Sequence, residues 1–443
     1  MTHTYSQGPE TISPVVRQSA QRKSLFASTT GQLLEWYEWS AYAVFAPFIS
    51  QAMFNPEDPV SALLATLGVF AVGFLMRPLG GFFFGIMADK KGRKAVLVTT
   101  MLTMAAGAMA IGLMPTYDSI GVWASIGLLL VRIVQGLAHG GESAAANSYV
   151  AEIAPAAKRG QWSSLVFITI FGGSVIAYSL GGGITNVLSE SQVAEWGWRV
   201  PFLLGAVLAV VALWMRRGMA ESAVHEQQQL KDQQAVPAAT ATVSEAPRYS
   251  QTKAVLLIIA MVTGITAAHY TWSSYVSTYA IVQQGMPASG AYWATVGAQL
   301  IALFSLPFWG RFSDRVGRKP VLTFFGIAMI IGQFPLMALI SDQPWTLFVA
   351  AAIALVIVAA SGALLSCVMS EVFPTKFRTR NIGLAYSISV AVFGGSAPYL
   401  NQLFNSIDMS WLSSMYIVVL CVVTLVAVRM LPETKGIDLN AVK

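Results

Sequence analysis

The stretch Gly85-Ile-Met-Ala-Asp-Lys-Lys-Gly-Arg-Lys94 decides the fold, because the chain repeats it as Gly310-Arg-Phe-Ser-Asp-Arg-Val-Gly-Arg-Lys319. Each copy directly follows a long apolar segment, and the offset of 225 residues is about half of the 443-residue chain. A second pair, Glu152-x-x-Pro-x-x-x-Arg159 and Glu371-x-x-Pro-x-x-x-Arg378, recurs at an offset of 219. A duplication of this kind in an apolar chain predicts two related halves with a site between them.

The composition places the chain in a membrane. Hydrophobic residues make up 55% and charged residues 11%, whereas a soluble chain carries roughly 25% charged residues. Unbroken apolar runs, each near the roughly 20 residues that span a bilayer, favour helices over the alternating strands of a barrel. We therefore predict an all-α membrane protein, with twelve transmembrane helices in two pseudo-symmetric six-helix bundles. The predicted spans are 25–52, 61–87, 95–114, 121–151, 161–187, 199–215, 254–283, 291–310, 320–340, 345–370, 381–404 and 411–430.

The pattern of polar segments divides the chain into five parts. They are an N-terminal tail (1–23), a first bundle (24–217), a linker (218–252), a second bundle (253–432) and a C-terminal tail (433–443). The linker is rich in Gln, Ala, Thr and charge, and we expect helical structure over 219–234. These polar segments are too short to bury a core of their own.

Charge placement predicts the topology. With both termini in the cytoplasm, all but three of the 27 Lys and Arg residues fall on the cytoplasmic side, whereas the outer loops carry acidic residues. This asymmetry follows the positive-inside rule. The net charge of +6 is therefore explained by topology and anionic lipid, and we expect no nucleic-acid partner.

Ionisable residues inside the predicted helices mark the site, because an unpaired charge in a bilayer is expensive. Glu35 and Glu38 stand at i, i+3, and Arg77 lies within the second helix. Arg132, Gln135, His139 and Glu142 form one stripe on the fourth helix. Buried structural pairing is the alternative interpretation for each charge. We predict that the proton is carried within the set Glu35, Glu38, Glu142 and His139.

The second half carries neutral and aromatic groups where the first carries charge. Away from the ends of its predicted helices, the only ionisable group among Asp, Glu, Lys, Arg and His is His269, because Arg429 is the next-to-last residue of the span 411–430. We expect the first half to carry protons and charge recognition, and the second to supply aromatic walls and neutral hydrogen bonds. His139 and Glu142 lack a second ligand pair, so we expect no metal. The predicted substrate-binding residues are Arg77, Arg132, Gln135, Tyr42, His269, Tyr270, Tyr275 and Gln299.

The duplicated phrase, G-x-x-x-D-(R/K)-x-G-R-(R/K), resembles the loop between helices 2 and 3 of the major facilitator superfamily. The resemblance implies a major facilitator fold and alternating access. It also implies that the charged residues of the repeated phrases form clasps between the halves, which hold the cytoplasmic side shut and break during transport. Carried onto this chain, the clasp residues are Asp89, Arg93, Glu152, Arg159, Asp314, Arg318, Glu371 and Arg378.

Longer sequence motifs narrow the resemblance to one family within this superfamily. Gln32-Leu-Leu-Glu-Trp-Tyr-Glu-Trp39, Phe74-Leu-Met-Arg-Pro-Leu-Gly-Gly81 and Glu195-Trp-Gly-Trp-Arg-Val-Pro-Phe202 look like helices of the metabolite:proton symporter family. Glu195–Arg199 and Phe393-Gly-Gly-Ser-Ala397 look most like 2-oxoglutarate (alpha-ketoglutarate) permeases. The chain departs from the family at Glu38, where Asp is usual. It lacks the Gly-Pro pair of antiporters in helix 5, which favours symport.

The resemblance implies a proton-coupled symporter that imports a small organic acid. A dicarboxylate such as 2-oxoglutarate is favoured, because two arginines suit two carboxylates. A zwitterion such as proline or betaine, shikimate or an aromatic acid, and more remotely a membrane sensor on the same scaffold, remain alternatives. We expect no enzyme activity and no cofactor, with the proton as coupling ion. The expected setting is a monomer in the lipid bilayer of a bacterial inner membrane.

Overall fold

The structure is a computed structural model that describes residues 31–91, 93–140, 150–217, 250–374 and 377–439, without the side chains of 85, 88–91, 93–95, 97, 212 and 214–217. Helices dominate this described part, and no strand occurs in it. The long helices are α1 (31–44 and Ala46–Met53), α2 (Pro59–Leu75 and Arg77–Lys91), α3 (Arg93–Leu113), α4 (Val122–His139), α5 (Arg159–Val187), α6 (Val200–Arg217), α7 (Gln251–Gln284), α8 (Ala288–Val316), α9 (Arg318–Leu339), α10 (Pro344–Gly362 and Leu365–Val372), α11 (Arg378–Ser406) and α12 (Trp411–Met430).

These helices have the length and composition of membrane spans. Nine helices of the described chain carry an apolar window of 18 residues or more, and two shorter apolar stretches lie in α3 and α6. The remaining helix, α1, is less apolar because it carries Glu35 and Glu38. Together they make the twelve spans that the sequence predicts. The predicted helix over 219–234 lies outside the described residues.

The duplicated phrase is more helical than a loop. Helix α8 continues through the phrase to Val316, and α9 begins at Arg318, so only Gly317 breaks the helix. The first copy has the same form, with α2 ending at Lys91 and α3 beginning at Arg93. Gly317 has φ +109°, and a Cβ there would lie 2.7 Å from a carboxylate oxygen of Glu433. Glycine is therefore required at this turn.

The two halves meet along α5 and α8, which pack closely at both ends. At the end predicted to be cytoplasmic, a Cβ on Gly160 would lie 2.7 Å from the carbonyl oxygen of Gly310. At the opposite end, a Cβ on Gly181 would lie 3.2 Å from the ring of Tyr292. Small residues let two helix backbones approach in a membrane, where packing drives association.

Helices α7 and α11 each contain a π-helical turn, at Thr271–Tyr275 and Val390–Gly394. The two turns lie near each other, since a Cβ on Gly394 would meet the ring of Tyr270 at 2.7 Å. A π-turn inserts one extra residue into a helix and is frequent at functional sites. Here it directs Ser273 and Ser274 into the space between the halves.

Candidate transport site

A buried charged cluster lies inside the first half. Glu35 Oε1 is 3.5 Å from Arg77 Nη2 and 3.3 Å from His139 Nδ1, so α1, α2 and α4 meet at one carboxylate. Each of the three residues is only 3% exposed. A carboxylate buried to this extent needs an opposite charge, which Arg77 supplies.

A second buried chain joins α4 to α1. Arg132 Nη1 donates to Gln135 Oε1 at 3.1 Å, and Gln135 Nε2 donates to Glu38 Oε1. Glu38 therefore reaches an arginine through an amide, whereas Glu35 faces its arginine directly. The stripe predicted on α4 is one continuous polar face over its described part. Glu142, the fourth member, lies outside the described residues.

Trp39 separates these charges from the centre of the molecule. The guanidinium carbon of Arg77 lies 4.6 Å from its ring centroid, and that of Arg132 lies 4.2 Å away. The ring of His139 is 5.3 Å away. Cations over an aromatic face are stabilised by the ring quadrupole. Trp39 was not among the predicted site residues, although Trp36 and Trp39 alternate with Glu35 and Glu38 in the sequence.

A cavity lies between the halves on the other side of this tryptophan. None of the described residues that line it is acidic or an arginine or lysine. The volume of this cavity is enough for about one water molecule. A substrate can therefore enter only when the halves separate. Aromatic walls come from both halves, and not from the second half alone as predicted. The lining consists of Trp36, Trp39, Ser40, Phe70, Ile170, Ser174, His269, Tyr270, Ser273 and Ser274.

His269 lies at the wall of this cavity in an aromatic box. Its ring centroid is 5.6 Å from that of Phe167, 5.5 Å from Phe171 and 5.2 Å from Tyr270. Nε2 lies 3.5 Å from the Ser273 hydroxyl, and buried Nδ1 has no hydrogen-bond partner within the described chain. The imidazole therefore has polar capacity left for a ligand.

Three other predicted substrate-binding residues make neutral hydrogen bonds outside this lining. Tyr42 donates to the Thr66 carbonyl oxygen at 3.0 Å, and Gln299 Nε2 donates to the Ser273 carbonyl oxygen at 3.2 Å. Tyr275 packs in a separate small apolar cluster and donates to Gln402 Oε1 at 2.9 Å. The structure thus brings Tyr270 and His269 to the cavity, and places Tyr275 away from it.

Hydrogen bonds join the halves at the end of the molecule that lies away from the duplicated phrase. Tyr292 of α8 donates to the Val44 carbonyl oxygen at 2.6 Å, and the hydroxyls of Tyr178 and Ser277 are 2.9 Å apart. Neither tyrosine is predicted as a site residue, because a tyrosine in an apolar run gives no sign of its hydrogen-bond partner.

A charged network joins the halves at the end that carries the duplicated phrase, which is the side predicted to be cytoplasmic. Glu371 Oε1 accepts from Arg159 Nη1 of the first half at 3.0 Å and from Arg318 Nη2 of the second half at 3.1 Å. Asp314 accepts from the backbone amides of Gly160 and Gln161 at 2.8 and 3.0 Å. Six of the eight predicted clasp residues lie at this contact, with Glu152 Oε1 3.6 Å from Arg378 Nη1. The side chains of Asp89 and Arg93 lie outside the description.

The C-terminal segment adds contacts that the sequence did not reveal. Arg159 Nη1 donates to the Ile437 carbonyl oxygen at 3.0 Å, and Arg378 Nη2 donates to that of Leu439 at 2.8 Å. Glu433 accepts from the backbone amides of Arg318 and Lys319. Burial alone would raise the pKa of Glu433, but these amide donors outweigh it and hold the pKa below its ordinary value. The segment predicted as a C-terminal tail is therefore part of this contact between the halves.

A helical body of twelve spans, closed by contacts on both sides of a central cavity, defines a membrane transporter. The chain belongs to the sugar (and other) transporter family, which it matches over residues 23–443. It is 32% identical over 419 residues to the alpha-ketoglutarate permease of Escherichia coli K12, covering 94% of this chain and 95% of that protein. It is 29% identical to the proline/betaine transporter of the same strain, covering 93% of this chain and 84% of that protein.

Solved structures agree on the fold. The major facilitator superfamily proton:xylose symporter XylE, bound to 6-bromo-6-deoxy-D-glucose, superposes with a TM-score of 0.71 at 19% identity. The alignment covers 96% of this chain and 98% of that one. The resemblance drawn from the duplicated phrase is thus confirmed, as is the predicted major facilitator fold.

Proposed function

We propose that this protein is a proton-coupled symporter that imports a small organic acid, favouring a dicarboxylate such as 2-oxoglutarate. The observation that carries the proton coupling is the position of Glu35, buried between Arg77 and His139. Protonation of this carboxylate would release Arg77 from its ion pair, and loss of the proton would restore it. A group whose partner depends on protonation can link proton binding to the arrangement of α1, α2 and α4.

Two guanidinium groups support the choice of a dicarboxylate. Nε of Arg77, and both Nε and Nη2 of Arg132, are buried without a hydrogen-bond partner among the described residues. The planar fork of arginine suits a carboxylate, and buried donors without acceptors are costly. If Trp39 moves as the halves separate, both forks can face the centre. The alpha-ketoglutarate permease among the relatives is in keeping with this assignment.

A zwitterion is the second candidate, and one observation favours it. The closed cavity is walled by aromatic rings, including those of Trp36, Phe70 and Tyr270, and such rings attract an ammonium or methylated ammonium group. Proline/betaine transporters also stand among the relatives. In that case Glu35 and Glu38 would serve the cationic end, and the arginines the single carboxylate. Shikimate or an aromatic acid would use the same walls.

The setting of this activity follows from the charge pattern. We place the protein as a multi-pass monomer in a bacterial inner membrane, with the clasp network and both termini in the cytoplasm. The coupling ion is the proton, and no cofactor, nucleic acid or enzymatic step is needed.

Uptake into proteoliposomes tests the proposal. Purified protein is reconstituted and offered labelled 2-oxoglutarate, proline, glycine betaine and shikimate, with and without an imposed pH gradient. We expect accumulation of 2-oxoglutarate above its external concentration only with the gradient. Accumulation of proline or betaine alone would select the zwitterion carrier. Binding without uptake of any compound would favour the sensor.

A further inference from the structure

A second cavity lies inside the first half, on the side of Glu35 that faces away from the centre. Helices α1, α3, α4 and α6 surround it, and it shares no lining residue with the central cavity. It has more room than the central cavity and can hold water. The lining consists of Gly31, Leu34, Glu35, Thr100, Met101, Met104, Ala138, His139 and Ala209.

His139 connects the carboxylate to this second cavity. Its Nδ1 faces Glu35 at 3.3 Å. Its Nε2 is buried and has no hydrogen-bond partner among the described residues. Because the two nitrogens lie on different sides of the ring, one can exchange a proton with Glu35 while the other exchanges with water.

The position of the cavity points to the cytoplasm. Gly31 lies one helical turn from Glu35 toward the N-terminal tail, and Thr100 lies seven residues, about 10 Å, beyond the start of α3. Both helices begin on the cytoplasmic side in the predicted topology. Trp39 and Trp36 meanwhile stand between the charged cluster and the central cavity.

We propose that this second cavity is a proton pathway to the cytoplasm that is separate from the substrate pathway, with His139 as its relay. This inference rests on the proposed proton coupling. The Glu35 carboxyl gives its proton to His139 Nδ1, leaving a carboxylate and an imidazolium. The imidazolium then gives its Nε2 proton to water, which carries it away. Rotation of the ring then exposes Nδ1 to the water, which takes the Nδ1 proton and returns one to Nε2, and the ring rotates back in its starting tautomer with no net change in protons.

Charged and titratable groups from both halves surround the relay. Arg77 of α2 and Arg132 of α4 face the Glu35–His139 pair from the first half, together with Glu38 of α1. Tyr270 and Tyr386 approach the Arg77–Glu35 pair from the second half. Arg77 and Arg132 repel a positive ring and favour release of its proton, whereas the Glu35 carboxylate attracts the ring.

Filling the cavity tests the pathway. In Ala209→Phe the new ring occupies the second cavity, whereas in Val210→Phe, the control, it points outward from a residue that is 53% exposed. A pH gradient of one unit supports roughly tenfold accumulation per coupled proton. We expect Ala209→Phe to lose this accumulation while substrate counterflow, which needs no net proton release, continues. Full accumulation in Ala209→Phe would overturn the pathway and leave proton coupling intact.

Silver ions give a second measurement that does not depend on a bulky variant. In a Cys367→Ser, Cys421→Ser background, Thr100→Cys places a thiol in the cavity wall, and Thr100→Ser is its control. We expect silver on the cytoplasmic side to inhibit pH-driven accumulation in Thr100→Cys only. No inhibition would show that the cavity is closed to that side and would overturn the proposal. Accumulation in the unaltered protein that ignores the gradient would instead contradict proton coupling itself.

Discussion

The Glu371→Gln substitution is expected to weaken the cytoplasmic contact between the halves. Glu371 is 1% exposed and accepts from Arg159 across the interface and from Arg318 and Thr434 within its own half. Among the residues that donate to Glu371, only Arg159 must separate from it when the cytoplasmic side opens. A hydrogen bond to a charged group contributes about 1.5–3 kcal/mol, and a bias of that size shifts a two-state population by roughly 10- to 150-fold.

The expected shift in population lies at the lower end of this range, because other contacts remain. Asp314 still accepts from the amides of Gly160 and Gln161, Arg159 still reaches the Ile437 carbonyl oxygen, and the new amide oxygen can still accept. We therefore expect a shift of about tenfold toward the conformation open to the cytoplasm.

Cysteine labelling measures the shift. Ser163 lies one turn beyond Arg159 on α5 and is fully buried, so a cysteine there reacts only when the cytoplasmic side opens. The measurement uses inside-out vesicles with Ser163→Cys in a Cys367→Ser, Cys421→Ser background. In these vesicles Glu371→Gln should raise the rate at which a polar thiol reagent labels position 163 about tenfold. Thr434→Val, which removes a bond within the second half and leaves the carboxylate, is the control and should change it little. An unchanged rate in Glu371→Gln would refute the role of this network as a clasp.

Three further outcomes follow from the contacts. Arg132→Lys keeps the charge but loses the planar fork, so the apparent affinity for substrate in uptake assays should fall at least about tenfold. Tyr275→Phe should change this affinity less. An affinity in Arg132→Lys equal to that of the unaltered protein would mean that Arg132 only balances buried carboxylates. Gly160→Ala should raise labelling at position 163, because its Cβ meets the Gly310 carbonyl oxygen at 2.7 Å; unchanged labelling would show that the helices adjust. Because the folded-state pKa of Glu433 is lowered from 4.5, its stabilising effect should be complete above that value and disappear as the pH falls through the folded pKa. The difference in melting temperature between the detergent-solubilised protein and Glu433→Gln should shrink below pH 4.5, and a difference independent of pH would contradict this.

The sequence predicted the fold well because membrane spans are a local property. Runs of apolar residues near the thickness of a bilayer identify most helices without knowledge of their neighbours. The chief difference concerns the duplicated phrase. The sequence predicts a loop at this phrase, whereas its second copy is helical up to Val316. The reason is that only Gly317 takes a conformation that a helix does not allow.

Charged members of the site were also visible in the sequence, since a charge within an apolar helix stands out. The partners were less visible. The Glu35–Arg77 pair required the packing of α1 against α2, and the contacts of Glu433 and Ile437 span more than 100 residues of sequence. The tryptophans of α1 give no such signal in the sequence, because their role as a wall depends on which cavity each ring faces.

Whether a pH gradient drives uptake through Glu35 is the most direct test of the central claim. Proteoliposomes with a gradient of about one unit are given labelled 2-oxoglutarate, using the unaltered protein, Glu35→Gln and Glu57→Gln, an exposed loop control. We predict roughly tenfold accumulation per coupled proton in the unaltered protein and in Glu57→Gln. Glu35→Gln should exchange substrate without accumulating it. Accumulation by Glu35→Gln equal to that of the unaltered protein would contradict the account.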